Sequence, residues 1–264
     1  MDFTSEKQRL KGAIDHLKPG WVRQDNNLDN TTRFIYGIDS FDGLLREIKK
    51  RRLTGSEEQY AIHRWYNWTT SEVCESIFIH YGAKKASAEE NQKNHIDVYI
   101  SNVPFDIKLS VFPENQDVKK MKLNLAKHFD RNRLIQWFYY NQSKEQRMAY
   151  NGRLFMVCEG NSYLEKIALK QDFDQMEIKI KAYMEFLNKE NFEFNAVTIK
   201  DPSGSSLVKS EIIPLKPYKE NFKTLIMKPC PICGKKREIT VARINAYRGN
   251  IISKCESCYS YNNI

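Results

Sequence analysis

An α/β domain built on a mixed sheet, followed by a small cysteine-bearing module, is the architecture this 264-residue sequence predicts. Three observations carry it. The stretch His95 to Pro113 alternates apolar and polar residues in two halves separated by Ser101 and Asn102, the pattern of a β-hairpin. Around it, apolar periodicity gives the order helix, hairpin, helix, strand, helix, strand, which suits helices packed on a mixed sheet. Beyond Pro214, Cys230, Cys233, Cys255 and Cys258 form two CxxC pairs separated by 21 residues.

Composition sets the frame. With 41% hydrophobic residues the chain can bury a sizeable core. Lys and Arg exceed Asp and Glu by 42 − 33 = 9, with a pI near 9.1, which favours a polyanionic partner such as nucleic acid over a membrane surface. No apolar run approaches the roughly 20 residues of a membrane-spanning helix, and MDFTSEKQRLKG lacks the apolar centre of a signal peptide, so a cytoplasmic location is expected. Cys74 and Cys158 stand alone in apolar patterns and read as small buried residues.

In chain order, residues 1–60 form a helical N-terminal region expected to pack on the core. Ser5 to Leu17 is an amphipathic stretch ended by Pro19 and Gly20, and Ser40 caps a helix that ends in the basic run Lys49 to Arg52. That run either touches phosphates or satisfies the helix dipole. Thr69 or Thr70 is the expected cap of a helix carrying Glu72, Cys74, Glu75, Ile77 and Phe78 and closing at Tyr81-Gly82. Trp65, Tyr66 and Trp68 precede it, as core residues or as rings that stack on bases. Lys84 to Lys93 reads as a polar loop.

In the hairpin, a two-residue loop at Ser101 and Asn102 sets Ile100 against Val103 and Asp97 against Asp106, with Lys108 on the same face. Two carboxylates about 5 Å apart repel, so a compensating cation is expected, a divalent metal first among the candidates. An amphipathic hairpin with a solvated polar face is the bland alternative. Acid-x-Lys occurs four times in the chain, but only Asp106 to Lys108 lies on an alternating strand.

These residues resemble the site of the PD-(D/E)xK nuclease superfamily, an acid on one strand and acid-x-Lys on the next, with Ile96 where the family often has proline. The resemblance covers about the middle half of the chain and implies a restriction-endonuclease-like core over 61–215. It implies that Asp97, Asp106 and the Ile107 backbone carbonyl hold one or two magnesium ions and that Lys108 positions or activates the nucleophile. A helix glutamate completes such sites. Glu72 is favoured and Glu75 is its rival, although Thr69-x-x-Glu72 also fits a capping box. The implied activity is hydrolysis of phosphodiester bonds in DNA by a restriction-like endonuclease, with RNA as substrate and a homodimeric assembly left open.

After the hairpin, Glu114 to Lys127 reads as a charged helix and Arg133 to Tyr140 as an apolar one, flanked by Arg131, Arg133, Lys144 and Arg147 as a phosphate-facing rim. Gln136-x-x-x-Tyr140 resembles a motif of the exonuclease branch, with core packing as the default. Arg153 to Cys158 reads as a buried central strand, Leu164 to Asn188 as one long helix and Phe194 to Ile199 as another strand. Pro214 to Lys228 interrupts periodicity and reads as a linker.

Residues 216–264 look like a zinc ribbon. The four cysteines close a tetrahedral sphere around one structural zinc, with Ile239 to Ala242 and Asn250 to Ser253 as the expected strands. Lys235, Lys236, Arg237, Arg243 and Arg248, with nearby tyrosines, suit nucleic acid. A second function class follows: a non-catalytic nucleic-acid-binding or regulatory protein whose ribbon does the binding and whose α/β domain is a scaffold.

Overall fold

The computed structural model describes residues 1–19, 26–114, 118, 128–141, 152–188, 193–201, 204–217, 225–229, 236–239, 252–254 and 261–263. The chain divides into two compact units, Met1–Pro217 and Tyr218–Ile264.

The N-terminal region belongs to the first unit. It contains α1 (Thr4–Arg9), a 3₁₀ turn at Ile14–His16, α2 (Asn26–Thr31), a second 3₁₀ turn at Arg33–Gly37 and α3 (Phe41–Arg51). Ser40 Oγ accepts the Gly43 N–H at 3.2 Å, the expected cap, and Arg52 closes α3 in the left-handed conformation at φ 58°.

Helix α4 (Ser56–His80) begins well before the threonines expected to cap it. Tyr60, Ile62, Trp65 and Tyr66 are buried upstream, so the packed face runs unbroken through Thr69 and Thr70. Thr70 turns its hydroxyl back onto the Tyr66 carbonyl at 2.9 Å, the usual mid-helix compensation, and no Thr69–Glu72 capping box forms. The expected loop at Lys84 to Lys93 instead holds β1 (Lys84–Lys85) and α5 (Ala88–Asn94). A true capping box starts α5: Ser87 Oγ accepts the Glu90 N–H at 3.2 Å, and Glu90 Oε2 accepts the Ser87 N–H at 2.9 Å.

β2 (Val98–Ile100) and β3 (Val103–Val111) form the hairpin, pairing Ile100 with Val103 and Val98 with Phe105. Ser101 and Asn102 have φ of 49° and 63°, and this double left-handed turn matches the twist of the strands it joins.

These strands enter a six-stranded mixed sheet in the order β1-β2-β3-β4-β6-β5. β4 (Gly152–Cys158) is buried along its whole length and parallel to both neighbours, as its continuous apolar run requires. β5 (Ala196–Asp201) is antiparallel to β6 (Gly204–Leu215). β6 extends into the segment expected to be a linker. Beyond Ser210 its ladder partner among the described residues is β4, on one side, where a strand tolerates Pro214.

Helices flank the sheet. α6 (His128–Asn141) lays Leu134, Ile135 and Phe138 over Phe155, Val157 and Ile212. Gln136 Nε2 donates to the Thr198 carbonyl and the Lys200 N–H donates to the Tyr140 hydroxyl, each at 2.9 Å, so this pair ties α6 to β5. Cys158 points the opposite way from Val157 and is electrostatically close to Cys74 and Tyr66, which places α4 on the other face. The single helix expected over Leu164 to Asn188 is two, α7 (Tyr163–Leu169) and α8 (Phe173–Leu187). Asp172 breaks them by accepting the Gln175 N–H at 3.1 Å as an N-cap. Among the described residues no helix is long and apolar enough to cross a membrane.

Gly152 opens β4 where a side chain has no room: a Cβ there would lie 2.4 Å from the Lys209 carbonyl oxygen and 2.8 Å from the Phe105 ring. Gly152→Ala is expected to destabilise the first unit by about 1–3 kcal/mol in urea unfolding, because backbone on the β6 side must move. An unchanged midpoint would show that the strands separate freely.

In the second unit, β7 (Leu225–Pro229) pairs antiparallel with β8 (Lys236–Ile239), and β9 (Ile252–Lys254) with β10 (Tyr261–Asn263). In sequence, each CxxC falls between the two strands of one pair. β8 ends at Ile239; of the strand expected over Ile239 to Ala242, residues 240–242 lie outside the described residues.

Candidate functional site

The hairpin register puts Asp97 one step beyond the Val98–Phe105 pair, opposite Asp106. The Asp97 N–H donates to the Phe105 carbonyl at 2.9 Å, which fixes the backbone there. Its carboxylate accepts twice, at Oδ2 from the Ile107 N–H at 2.7 Å and at Oδ1 from Asn91 Nδ2 at 2.8 Å. The capped helix α5 is thus a support for Asp97.

Asp106 is 3% exposed and lies between two cations. Lys108 Nζ is 2.6 Å from Oδ1, and Arg153 Nε, on the adjoining strand in register with Asp106, is 3.5 Å from Oδ2. The Arg153 guanidinium sits 4.5 Å over the Tyr139 ring of α6. Arg153 was not anticipated as a site residue. Its signal was a charged residue opening an otherwise apolar buried run, RLFMVC.

Burial, and then the charge of Asp106, push Asp97 up to about 6, against the opposing pull of Lys108 and the Ile107 N–H. On α4, Glu75 is pushed up to about 7 by burial first and then by Asp97, with Lys108 opposing and Glu72 and Asp106 adding. Glu75 is therefore the helix carboxylate coupled to the hairpin acids. Glu72, the favoured choice, pairs with Arg9 at 3.5 Å; burial raises its pKa while Arg9 opposes. Glu72 and Glu75 follow Trp68 at i+4 and i+7 on one stripe of α4, so the sequence alone could not say which of them would meet the hairpin acids.

Among the described residues no group of three or more His, Cys, Asp and Glu side chains is arranged to hold a metal ion. The donors that do face each other, Asp97 and Asp106, are hard oxygens, and their mutual repulsion is what a cation would relieve. That set fits magnesium, which binds through one or two carboxylates and keeps most of its waters. Cys230, Cys233, Cys255 and Cys258, expected as zinc ligands, lie outside the described residues, as do Lys235, Arg243, Arg248, Lys144 and Arg147 and the side chains of Lys236 and Arg237. Of the proposed rim, Arg131 turns to Glu211 on β6, at 3.1 and 3.2 Å from its two oxygens.

The raised acids make stability depend on pH. A carboxyl whose folded pKa exceeds its ordinary value supports the fold below that ordinary value and loses the contribution as pH rises through the folded one. For Asp97 the window runs from 3.8 to about 6, and for Glu75 from 4.5 to about 7. Metal-free protein is expected to lose on the order of 2 kcal/mol between pH 4 and 7 on account of Asp97. Asp97→Asn should flatten this fall in chelator-containing buffer. A profile of the same steepness in the variant would show that Asp97 does not drive the fall.

Together these features define a mixed α/β protein with a partly buried, charge-coupled acid cluster at one hairpin. The chain matches no protein-family model, no curated protein and no solved structure in the comparisons made.

Proposed function

We propose that this protein is a metal-dependent nuclease that hydrolyses phosphodiester bonds in DNA. The observation that carries the proposal is the placement of Asp97 and Asp106 opposite each other across a two-residue turn, with Lys108 on Asp106 and Glu75 coupled to both acids. Asp97 and Asp106, with the Ile107 carbonyl, would hold magnesium. When bound, the ion lowers the pKa of a water and offsets charge on the phosphate. Lys108, whose side chain is 40% exposed, can reach toward solvent from Asp106 and donate to a water or a phosphate oxygen. Glu75, with its pKa near 7, suits accepting a proton at neutral pH. The test is incubation of purified protein with supercoiled, linear, single-stranded and branched DNA and with RNA, in magnesium or in chelator. Magnesium-dependent cleavage supports the reading, and intact substrates throughout reject it.

One observation favours a second reading. Lys108 and Arg153 already compensate Asp106, so the cluster can persist without metal as a scaffold for a nucleic-acid-binding ribbon. Both readings include structural zinc at the four paired cysteines. Elemental analysis is expected to find one zinc per chain, with Cys230→Ser or Cys255→Ser lowering that content while leaving the unfolding of Met1–Pro217 unchanged. Zinc-free protein would dispose of the ribbon.

A further inference from the structure

We propose that the outer face of α4 carries a stacking platform for an unpaired nucleic-acid strand, built from Trp68 and Tyr36. It rests on the reading of the acid cluster as a site acting on nucleic acid, and it names the substrate class: strands with unpaired bases beside the scissile bond.

Of the three aromatic residues clustered on α4, Trp65 and Tyr66 are core, 0% and 1% exposed. Trp68 is only half-buried, and Tyr36 from the 3₁₀ turn meets it in an edge-to-face contact at 5.2 Å while remaining 48% exposed. An exposed ring is ordinarily loose, but both of these are held. Arg64 donates to the Tyr36 hydroxyl at 2.9 Å and lies 5.2 Å over its ring, and it is itself anchored to the Asp29 carbonyl and the Thr32 hydroxyl. Arg9 lies 5.1 Å over Trp68 and donates to the Ile38 carbonyl at 3.2 Å. With a guanidinium holding each ring, the surface that Tyr36 and the half-buried Trp68 still expose is a preorganised place for a base.

Position ties the platform to the site. Trp68, Glu72 and Glu75 fall at i, i+4 and i+7 of α4, one stripe along the helix. Trp68 is therefore about 10 Å along the axis from the glutamate coupled to Asp97 and Asp106. Arg9 and Arg64 are paired with Glu72 and Asp29, so the platform contributes stacking, while attraction to phosphates comes from the chain's net charge of +9. That division gives a signature: losing a ring should weaken binding at every salt concentration without changing the salt slope.

The experiment measures anisotropy of labelled oligonucleotides of about twelve residues, as single-stranded DNA, single-stranded RNA and duplex DNA, on the zinc-loaded full chain in magnesium-free buffer so that nothing is cleaved. Trp68→Leu and Tyr36→Ala are each expected to weaken single-strand binding about five- to a hundredfold, with parallel salt plots and little change for duplex, and Trp68→Phe is expected to retain most of the affinity. Single-stranded DNA should also quench tryptophan fluorescence in the wild type and not in Trp68→Phe. Tyr36→Ala, at an exposed position, keeps the test open if Trp68→Leu fails to fold. Equal losses on single strand and duplex, or no loss on either, overturn the platform. Because binding is read without cleavage, a platform that binds in a protein that cuts nothing rejects the nuclease reading alone, and cleavage that survives a silent platform rejects the platform alone.

Discussion

Asp97→Asn and Asp106→Asn are each expected to lower magnesium-dependent DNA cleavage by about a thousandfold or more, since each removes one of the two carboxylates that would hold the ion. Their effects on stability should have opposite signs. Asp97 is destabilised as an anion by burial and by Asp106, so its neutral amide relieves repulsion and raises metal-free stability at pH 7. Asp106 is compensated by Lys108 and by Arg153, which is 6% exposed, so neutralising it leaves a buried guanidinium without its carboxylate and lowers stability. Calorimetry with magnesium completes the measurement, with weakened binding expected for both variants. Full magnesium affinity in Asp106→Asn would rule out the proposed site, and two stability changes of the same sign would show that either the Arg153 pairing or the Asp97 repulsion does not govern stability.

The hairpin was legible because its information is local. Alternation sets the faces, and a two-residue turn sets the register, so the position of Asp97 against Asp106 follows from counting. The buried run of β4 was legible for a similar reason, since a strand covered on both faces has little room for polar residues. The start of α4 was not, because Thr69 and Thr70 look like caps until one knows that tertiary burial continues through Tyr60 to Tyr66. The break at Asp172 was present in the sequence as a capping residue but was outweighed by the apolar periodicity on either side of it. The choice between Glu72 and Glu75 depended on Arg9, 63 residues away from Glu72, and on how far α4 rotates its acids toward β3. Arg153 could be read only across two strands. Its relation to Asp106 arises from a parallel pairing that no local pattern encodes.

That pairing yields the second large effect. Arg153→Met keeps most of the side chain's bulk against Tyr139 but leaves Asp106 compensated by Lys108 alone, whose side chain is 40% exposed and lies toward solvent. Breaking one side of a buried ion pair costs about 3–5 kcal/mol; the 3.5 Å separation of Arg153 and Asp106 argues for the lower end. Combining Arg153→Met with Asp106→Asn removes both charges and should recover at least half of what either change loses, the mark of a direct coupling. Urea unfolding of the wild type, the two single variants and the double variant measures that coupling. Additive losses would show that Arg153 supports the sheet by packing on Tyr139 and not by holding the acid. If the coupling is present, Arg153 acts as a positioning residue: the double variant should fold well, yet neither single variant should bind magnesium with the wild-type affinity, since Arg153→Met leaves Asp106 free to adjust and Asp106→Asn removes the ligand.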